Sequence, residues 1–402
     1  MRAAAGRRRS FDLVLFGASG FTGALTAEYL ARHGPQDMRW AIAGRNEGRL
    51  QDIADRLSAL RSGGTTVQVL RADSSDLGSL TDMARASRVI ASTVGPFMLH
   101  GEPLVGACAQ AGTDYLDITG EPEFVDLMWL AHHDTAQRNG ARLVHACGFD
   151  SVPHDLGVWF TLGHLPAGVP LSIAGYVRAQ ARFSAGTYHS AVRAFGRARH
   201  SAQVAGRRRR QEELPSNRRV GSLPLRPHRV PGSSRWAVPL PTIDPIVIAR
   251  SARALDHYGP DFRYGHYADV GGLPMVAATA AGAGGLMVAA RIPPLRNALL
   301  RFQRSGEGPD EQRRAASWFR VRFVSTFIDG QSPSVVRTEV SGGDPGYDET
   351  AKMLAESALS LAFDEGLPDR AGQLTPVQAM GDQLLARLQR GGMTFRLMSE
   401  IR

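Results

Sequence analysis

A chain of 402 residues, 43% hydrophobic and 21% charged, is long enough for two domains and has an ordinary globular composition. Its formal net charge of +9 is carried by arginine, since Lys352 is the only lysine; with no recognition motif and no aromatic–basic interleaving, nucleic acid is excluded as a partner. Two isolated cysteines, Cys108 and Cys147, exclude a disulfide framework and a cysteine–zinc site, and they fit a cytoplasmic setting with no metal.

Residues 1–10 carry Arg2, Arg7, Arg8 and Arg9 and read as a disordered basic leader, because no apolar signal core follows. Phe11–Phe16 is a short apolar run and reads as a buried parallel strand. Phe21–His33 has helical spacing, with Leu25, Tyr29 and Leu30 on one side. A second strand at 40–43 is closed by Gly44, and Asn46 can cap a helix running to residue 60. Strands follow at 66–70, 89–94, 115–117 and 142–146, with helices at 103–111 and 124–139 between the later ones. This alternation predicts an α/β fold, with a Rossmann domain, a doubly wound parallel sheet, over residues 11–150.

The pattern changes after a helix at 151–162. Residues 171–183 read as a strand of a different sheet, and the Arg-, Pro-, Ser- and Gly-rich stretch 196–235 as a long basic loop. Residues 270–290 contain no charge, and Leu and Phe mix with Arg over 292–304. Three readings stay open there: a packed helix or acyl-pocket wall, an interfacial membrane-binding segment, and a transmembrane span. Residues 318–328 and 335–341 alternate polar and apolar and predict a paired hairpin. Residues 151–345 thus predict a second, α+β substrate domain on a mixed or antiparallel sheet. Helices at 350–364 and 376–388 predict that 346–402 packs back on the Rossmann domain.

Gly17, Gly20 and Gly23 follow the first strand at G-x-x-G-x-x-G spacing and open the first helix. One glycine permits the sharp turn, one lets a pyrophosphate approach the backbone, and one packs the helix on the strand. Ser19, Phe21 and Thr22 lie within the same turn, where phosphates meet the positive end of the helix. After the second strand stands Arg45, with no carboxylate beside it. An acidic residue there would bind the ribose of NAD, whereas arginine suits the 2′-phosphate of NADP(H). Asp73 is placed to meet the adenine edge. Thr93, Gly95 and Pro96 end the fourth strand, where ligands of open parallel sheets gather.

Several blocks stand in order along the chain: GASGFTG (17–23), AGRN (43–46), TVGPF (93–97), AGTDYLDITGE (111–121), ACGFDSVPHDLG (146–157), GDPGYDETAKML (343–354) and LTPVQAMGDQLLARL (374–388). Together they resemble the saccharopine dehydrogenase-like oxidoreductases, and most closely their actinobacterial trans-acting enoyl reductase branch. The resemblance spans about residues 11–398 and lapses at 196–235. It implies NADPH-dependent reduction of an unsaturated acyl chain made by a polyketide synthase for cell-envelope lipids such as glycolipids. An acyl or lipid-like substrate, possession of a carrier protein as partner, a homo-oligomer, and peripheral contact with the inner face of the plasma membrane through 270–304 are the associated expectations.

Reduction of an alkene needs a hydride, a polarised carbonyl and a proton donor. Tyr115, Asp117 and Glu121, and Asp150, Ser151 and His154, are candidates from their two blocks, with Tyr115, Asp117, Asp150 and His154 foremost. Tyr188 and His189 stand outside these. Asp117 could instead brace the domain junction, and Asp150 could cap a helix. Two alternatives remain beside enoyl reduction: a related reductase acting on another small substrate, and a membrane-associated nucleotide-binding protein without catalysis.

Overall fold

The computed structural model describes residues 9–61, 64–181, 192, 196–213, 218–302, 308–329 and 332–401. Most of the basic leader and the pair Tyr188 and His189 lie outside the described residues. The chain divides into two compact units: Met1–Phe149 with Gly306–Gly308 and Gly346–Gly391, and Asp150–Ser305 with Pro309–Pro345 and Gly392–Arg402.

The first unit is built on seven parallel strands. They are β1 (Phe11–Phe16), β2 (Trp40–Gly44), β3 (Gln68–Arg71), β4 (Ser87–Ser92), β5 (Asp114–Asp117), β6 (Arg142–Val144) and β14 (Gly372–Leu374). Their order is β14-β6-β5-β4-β1-β2-β3, the doubly wound arrangement whose direction reverses between β1 and β4. Every residue of β1 and β2 is buried, because helices cover both faces of the sheet, so these strands read as unbroken apolar runs. Helix Asp348–Phe363 is buried along most of its length and packs on helix Phe21–His33 and on the sheet.

The second unit is built on a mixed sheet of eight strands. They are β7 (Leu171–Gln180), β8 (Arg219–Ser222), β9 (His228–Arg229), β10 (Trp236–Pro239), β11 (Asp261–Gly271), β12 (Trp318–Asp329), β13 (Ser332–Gly342) and β15 (Thr394–Ile401). The hairpin β12–β13 pairs from Phe319 with Gly342 to Asp329 with Ser332. β7 runs antiparallel to β12 and parallel to β11. Helix Val152–Leu162 closes on β12 and β13: a Cβ on Gly157 would press into the Phe323 ring, and the Thr161 and Thr338 hydroxyls meet at 2.6 Å.

Two expectations need correction. Residues 196–235 are not one loop: Ala198–Gln211 is a helix, and β8 and β9 follow it. Its sequence, ARHSAQVAGRRRRQ, is rich in helix-forming Ala, Arg and Gln but has one buried apolar anchor, Val204, so no hydrophobic stripe announces it. Nor is 346–402 wholly helical and joined to the first unit. Its last residues form β15, antiparallel to β13 in the second sheet, where the alternation of TFRLMSEI suits an edge strand.

Candidate functional site

The turn after β1 forms because Gly17 takes a φ of 101°, a conformation that side-chain-bearing residues avoid. A Cβ on Gly17 would stand 2.7 Å from Thr93 Oγ1, and one on Gly23 would overlap the Gly17 carbonyl. The Gly20 position is open: the nearest atom to an added Cβ is Gly17 O at 3.4 Å. So Gly17 makes the turn, Gly23 lets the helix lie against it, and Gly20 keeps bulk away from whatever approaches the helix start. Gly20 is the N-cap of helix Phe21–His33, and no side chain caps that helix. With no side-chain cap at the helix start, the helix dipole favours an anion there. These features fit a dinucleotide pyrophosphate.

The surface after β2 and β3 is cationic. Arg45 is exposed directly after β2. Asn46 caps the next helix by accepting from Arg49 N at 3.0 Å, which directs Arg49 back so that its guanidinium donates to Ser19 O at 3.2 Å. Asp73 accepts from Ser75 N and Ser75 Oγ, at 3.0 and 2.8 Å. Those two hydrogen bonds, aided by the charges of Arg45 and Arg71, hold its carboxyl below the usual range. Arg49, in the first turn of the helix after β2, and Arg71, at the end of β3, add positive charge that motif reading missed, because neither lies within a recognised motif. Thr22 O accepts from Thr26 Oγ1, and Phe21 meets Tyr347 edge-on at 4.9 Å, which ties the block at 343–354 to the glycine turn. Thr93 donates through Oγ1 to Gly17 O at 3.1 Å, so the ends of β1 and β4 are locked together where the sheet reverses. Gly95 has no atom within 3.6 Å of an added Cβ, and Pro96 begins the helical turn Phe97–His100.

Tyr115 and Asp117 sit on β5 beside the end of β6, away from open surface. Both are wholly buried. Asp117 accepts from Tyr115 Oη at 3.1 Å, Thr119 N at 3.1 Å and Ala146 N at 3.1 Å, and it pairs with His145 Nδ1 at 2.7 Å. Burial, then the Asp117 charge, pushes the Tyr115 hydroxyl well above its ordinary range. Asp117 thus braces the ends of β5 and β6, and it holds Ala146 at a φ of 60°, a costly conformation for a residue with a side chain. Glu121 is buried as well, and its Oε2 accepts from Met98 N at 3.2 Å. Residue type alone does not reveal this burial.

In the second unit, Ser151 is the N-cap of helix Val152–Leu162, and its side chain makes no capping bond. Asp150 precedes it and is half-buried. One helical turn on, His154 pairs through Nδ1 with Asp244 Oδ1 at 2.6 Å. Asp244 Oδ2 lies 3.5 Å from His266 Nε2 and accepts from Thr242 Oγ1. His266 Nδ1 in turn meets the Tyr264 hydroxyl at 3.0 Å, in space left by Gly175 on β7. His154, Asp244 and His266 are all buried. Burial raises the carboxyl of Asp244, but the two histidines and its hydrogen bonds outweigh that and hold it below the usual range. Burial, against the pull of Asp244, brings His266 down to about 4. Burial and then the Asp244 charge push Asp150 up to about 7, opposed by His154.

The ligand-type atoms of His154, Asp244 and His266 lie within 4.8 Å of one another, a set that could hold a metal ion. His154 Nδ1 and Asp244 Oδ1 stand 2.6 Å apart as an ion pair. Two ligands on one tetrahedral zinc, each bonded at about 2.0–2.1 Å, stand about 3.4 Å apart. The three side chains thus form a compact, buried histidine–carboxylate–histidine group.

A parallel sheet with an open glycine turn at its reversal point, joined to a second unit on a mixed sheet, defines an NADP-dependent oxidoreductase. Residues 13–144 match the saccharopine dehydrogenase NADP-binding domain. A trans-acting enoyl reductase of Mycobacterium ulcerans is 34% identical, covering 96% of this chain and 97% of that protein. A Mycobacterium tuberculosis protein that bears the same name provisionally is 37% identical, over 96% and 97% of the two chains. The saccharopine dehydrogenase-like oxidoreductase of Bos taurus is 30% identical over 98% of each. The solved saccharopine dehydrogenase of Saccharomyces cerevisiae has the same fold, with a TM-score of 0.55 at 13% identity, over 97% of this chain and 99% of that one. The chain belongs to the saccharopine dehydrogenase-like oxidoreductase family.

Proposed function

We propose that the protein is an NADPH-dependent enoyl reductase acting on polyketide or fatty acyl chains. The observation that carries this reading is the end-to-end likeness, 34% and 37% identical, to mycobacterial proteins named trans-acting enoyl reductases. NADPH supplies a hydride to one alkene carbon, and the protein must deliver a proton to the next. The start of helix Phe21–His33 binds the pyrophosphate, and exposed Arg45 takes the 2′-phosphate. Asp150 is the proton donor in this reading. Its carboxyl, raised to about 7, is protonated below neutrality. His154, one helical turn on and paired with Asp244, adds a positive influence that opposes the rise of the Asp150 carboxyl. The balance is one enoyl group, one NADPH and one proton giving the saturated acyl group and NADP.

The same reading carries a cytoplasmic setting, peripheral membrane contact through residues 270–304, and an acyl chain that arrives free or on a carrier protein. The test is loss of NADPH absorbance on mixing the protein with medium- and long-chain enoyl thioesters. Substrate-dependent oxidation with formation of the saturated thioester is expected. Tight NADPH binding with no turnover on any enoyl chain length, free or carrier-bound, would contradict enoyl reduction.

A further inference from the structure

Helix Leu273–Arg291 is 19 residues long, has a mean hydropathy of 1.6 over its most apolar window, and has only 6% of that window buried. Leu273, Met275 and Val288 are each more than half exposed. A packed core helix or pocket wall would be covered, so that expectation fails for this segment. Apolar residues surround the helix on all sides rather than forming one stripe. An amphipathic helix lying on a protein surface would show a stripe. Water is a poor solvent for such an element, and something else covers it.

The sheet decides the topology. β11 leads into the helix and β12 receives the chain after it, and both strands are hydrogen-bonded to β7. The chain therefore leaves and re-enters the second unit on one side of any bilayer. Crossing must then occur an even number of times. The next helix, Pro293–Phe302, has ten residues, about 15 Å, half the hydrocarbon thickness. Residues 303–317, QRSGEGPDEQRRAAS, are polar and charged and cannot cross. One long apolar helix without a return partner cannot span.

We propose that Leu273–Phe302 is a monotopic anchor, a helical pair inserted from one side into an anionic phospholipid leaflet. Arg291, Arg296, Arg301 and Arg304 follow or flank the apolar helix, and no acidic residue occurs from 270 to 306. This charge pattern selects anionic headgroups, while the uncharged stretch takes the acyl region. A lipid-borne substrate would then be met at the surface where it resides. The proposal deepens the membrane contact of the enoyl-reductase reading, and its failure is distinguishable from failure of that activity, since binding is measured without turnover.

The test uses the full chain with vesicles of phosphatidylcholine alone or with phosphatidylglycerol. Sedimentation is expected with the anionic vesicles and about tenfold less with the neutral ones. Met275→Glu with Val288→Glu, at two exposed positions, is expected to cut the bound fraction about tenfold or more while leaving NADPH affinity unchanged. Single cysteines Gly272→Cys and Ala315→Cys flank the anchor, and native Cys108 and Cys147 are buried. A membrane-impermeant maleimide outside the vesicles is expected to label both flanking cysteines. Equal capture by neutral vesicles, or none by either kind, would overturn the proposal. So would labelling of the Ala315→Cys position only after detergent, which indicates a true span. A solution dimer dissolved by the double glutamate variant would assign the helix to a second copy instead, and would overturn it too.

Discussion

The glycine turn of the first unit and the His154–Asp244–His266 group of the second handle charge in opposite ways. At the turn, Gly17, Gly20 and Gly23 shape a backbone whose N–H dipoles suit a charge brought by a ligand. In the buried group, the charges belong to side chains from helix Val152–Leu162, helix Asp244–Ala254 and β11, and each is tolerated only because a neighbour compensates it. The first depends on space left empty, and the second on partners kept in place. A substitution that adds atoms should ruin one, and a substitution that removes a partner should ruin the other.

The largest effect is expected at Gly23. Gly23→Val drives side-chain carbons into the Gly17 carbonyl and Thr93 Oγ1, so NADPH binding should vanish and thermal stability should fall, by about 3 kcal/mol or more. Gly20→Ala sharpens the comparison, because its Cβ has room: folding should be kept, and NADPH affinity alone should weaken. A Gly23→Val protein that binds NADPH normally would break the assignment of the turn.

Next in size is the buried group. Asp244→Ala leaves His154 and His266 without their carboxylate and should cost about 3–5 kcal/mol in urea unfolding. Asp244→Asn keeps the shape without the charge. It should fold, and its reductase turnover should drop by about 100-fold, the usual scale of a disabled proton transfer. If Asp244→Asn turns over normally, the group is structural only.

A smaller effect is expected from pH. A carboxyl whose folded pKa is raised favours its proton, so Asp150 is protonated below about 7 and loses that proton above it. If it donates the proton, turnover should be flat in acid and fall about tenfold per pH unit above neutrality. Asp150→Asn should lower turnover and remove that limb. His266 works the other way: its folded pKa of about 4 favours the neutral ring, so stability should decline as pH falls below the ordinary histidine range toward 4. A profile unchanged in Asp150→Asn would remove Asp150 from the chemistry.

The same contrast explains what the sequence made legible. The glycine turn could be read because its seven residues are contiguous and each has a local steric reason. The β12–β13 hairpin could be read because one face of each strand is covered and the alternation survives. β11 gave no such signal, since Phe262 and the run from Tyr264 to Tyr267 are all buried and the period of two is lost. The buried group was half seen: His154 and Asp150 sit in a recognisable block, whereas Asp244 and His266 carry no motif and meet them only through the fold. The burial of Tyr115 and Asp117 was not legible, because residue type predicts chemistry but not access, and Asp117 is filled by its four neighbours.

The central claim is that the first unit selects NADPH through Arg45 at the end of β2. Fluorescence titration of NADPH and NADH against the native protein and Arg45→Ala tests it most directly. The account predicts NADPH bound at least about tenfold more tightly by the native protein, on the scale of one charge-assisted phosphate contact, and a gap that narrows in Arg45→Ala through weaker NADPH binding alone. Equal affinities for the two nucleotides in the native protein, or an Arg45→Ala variant with its preference intact, would contradict it.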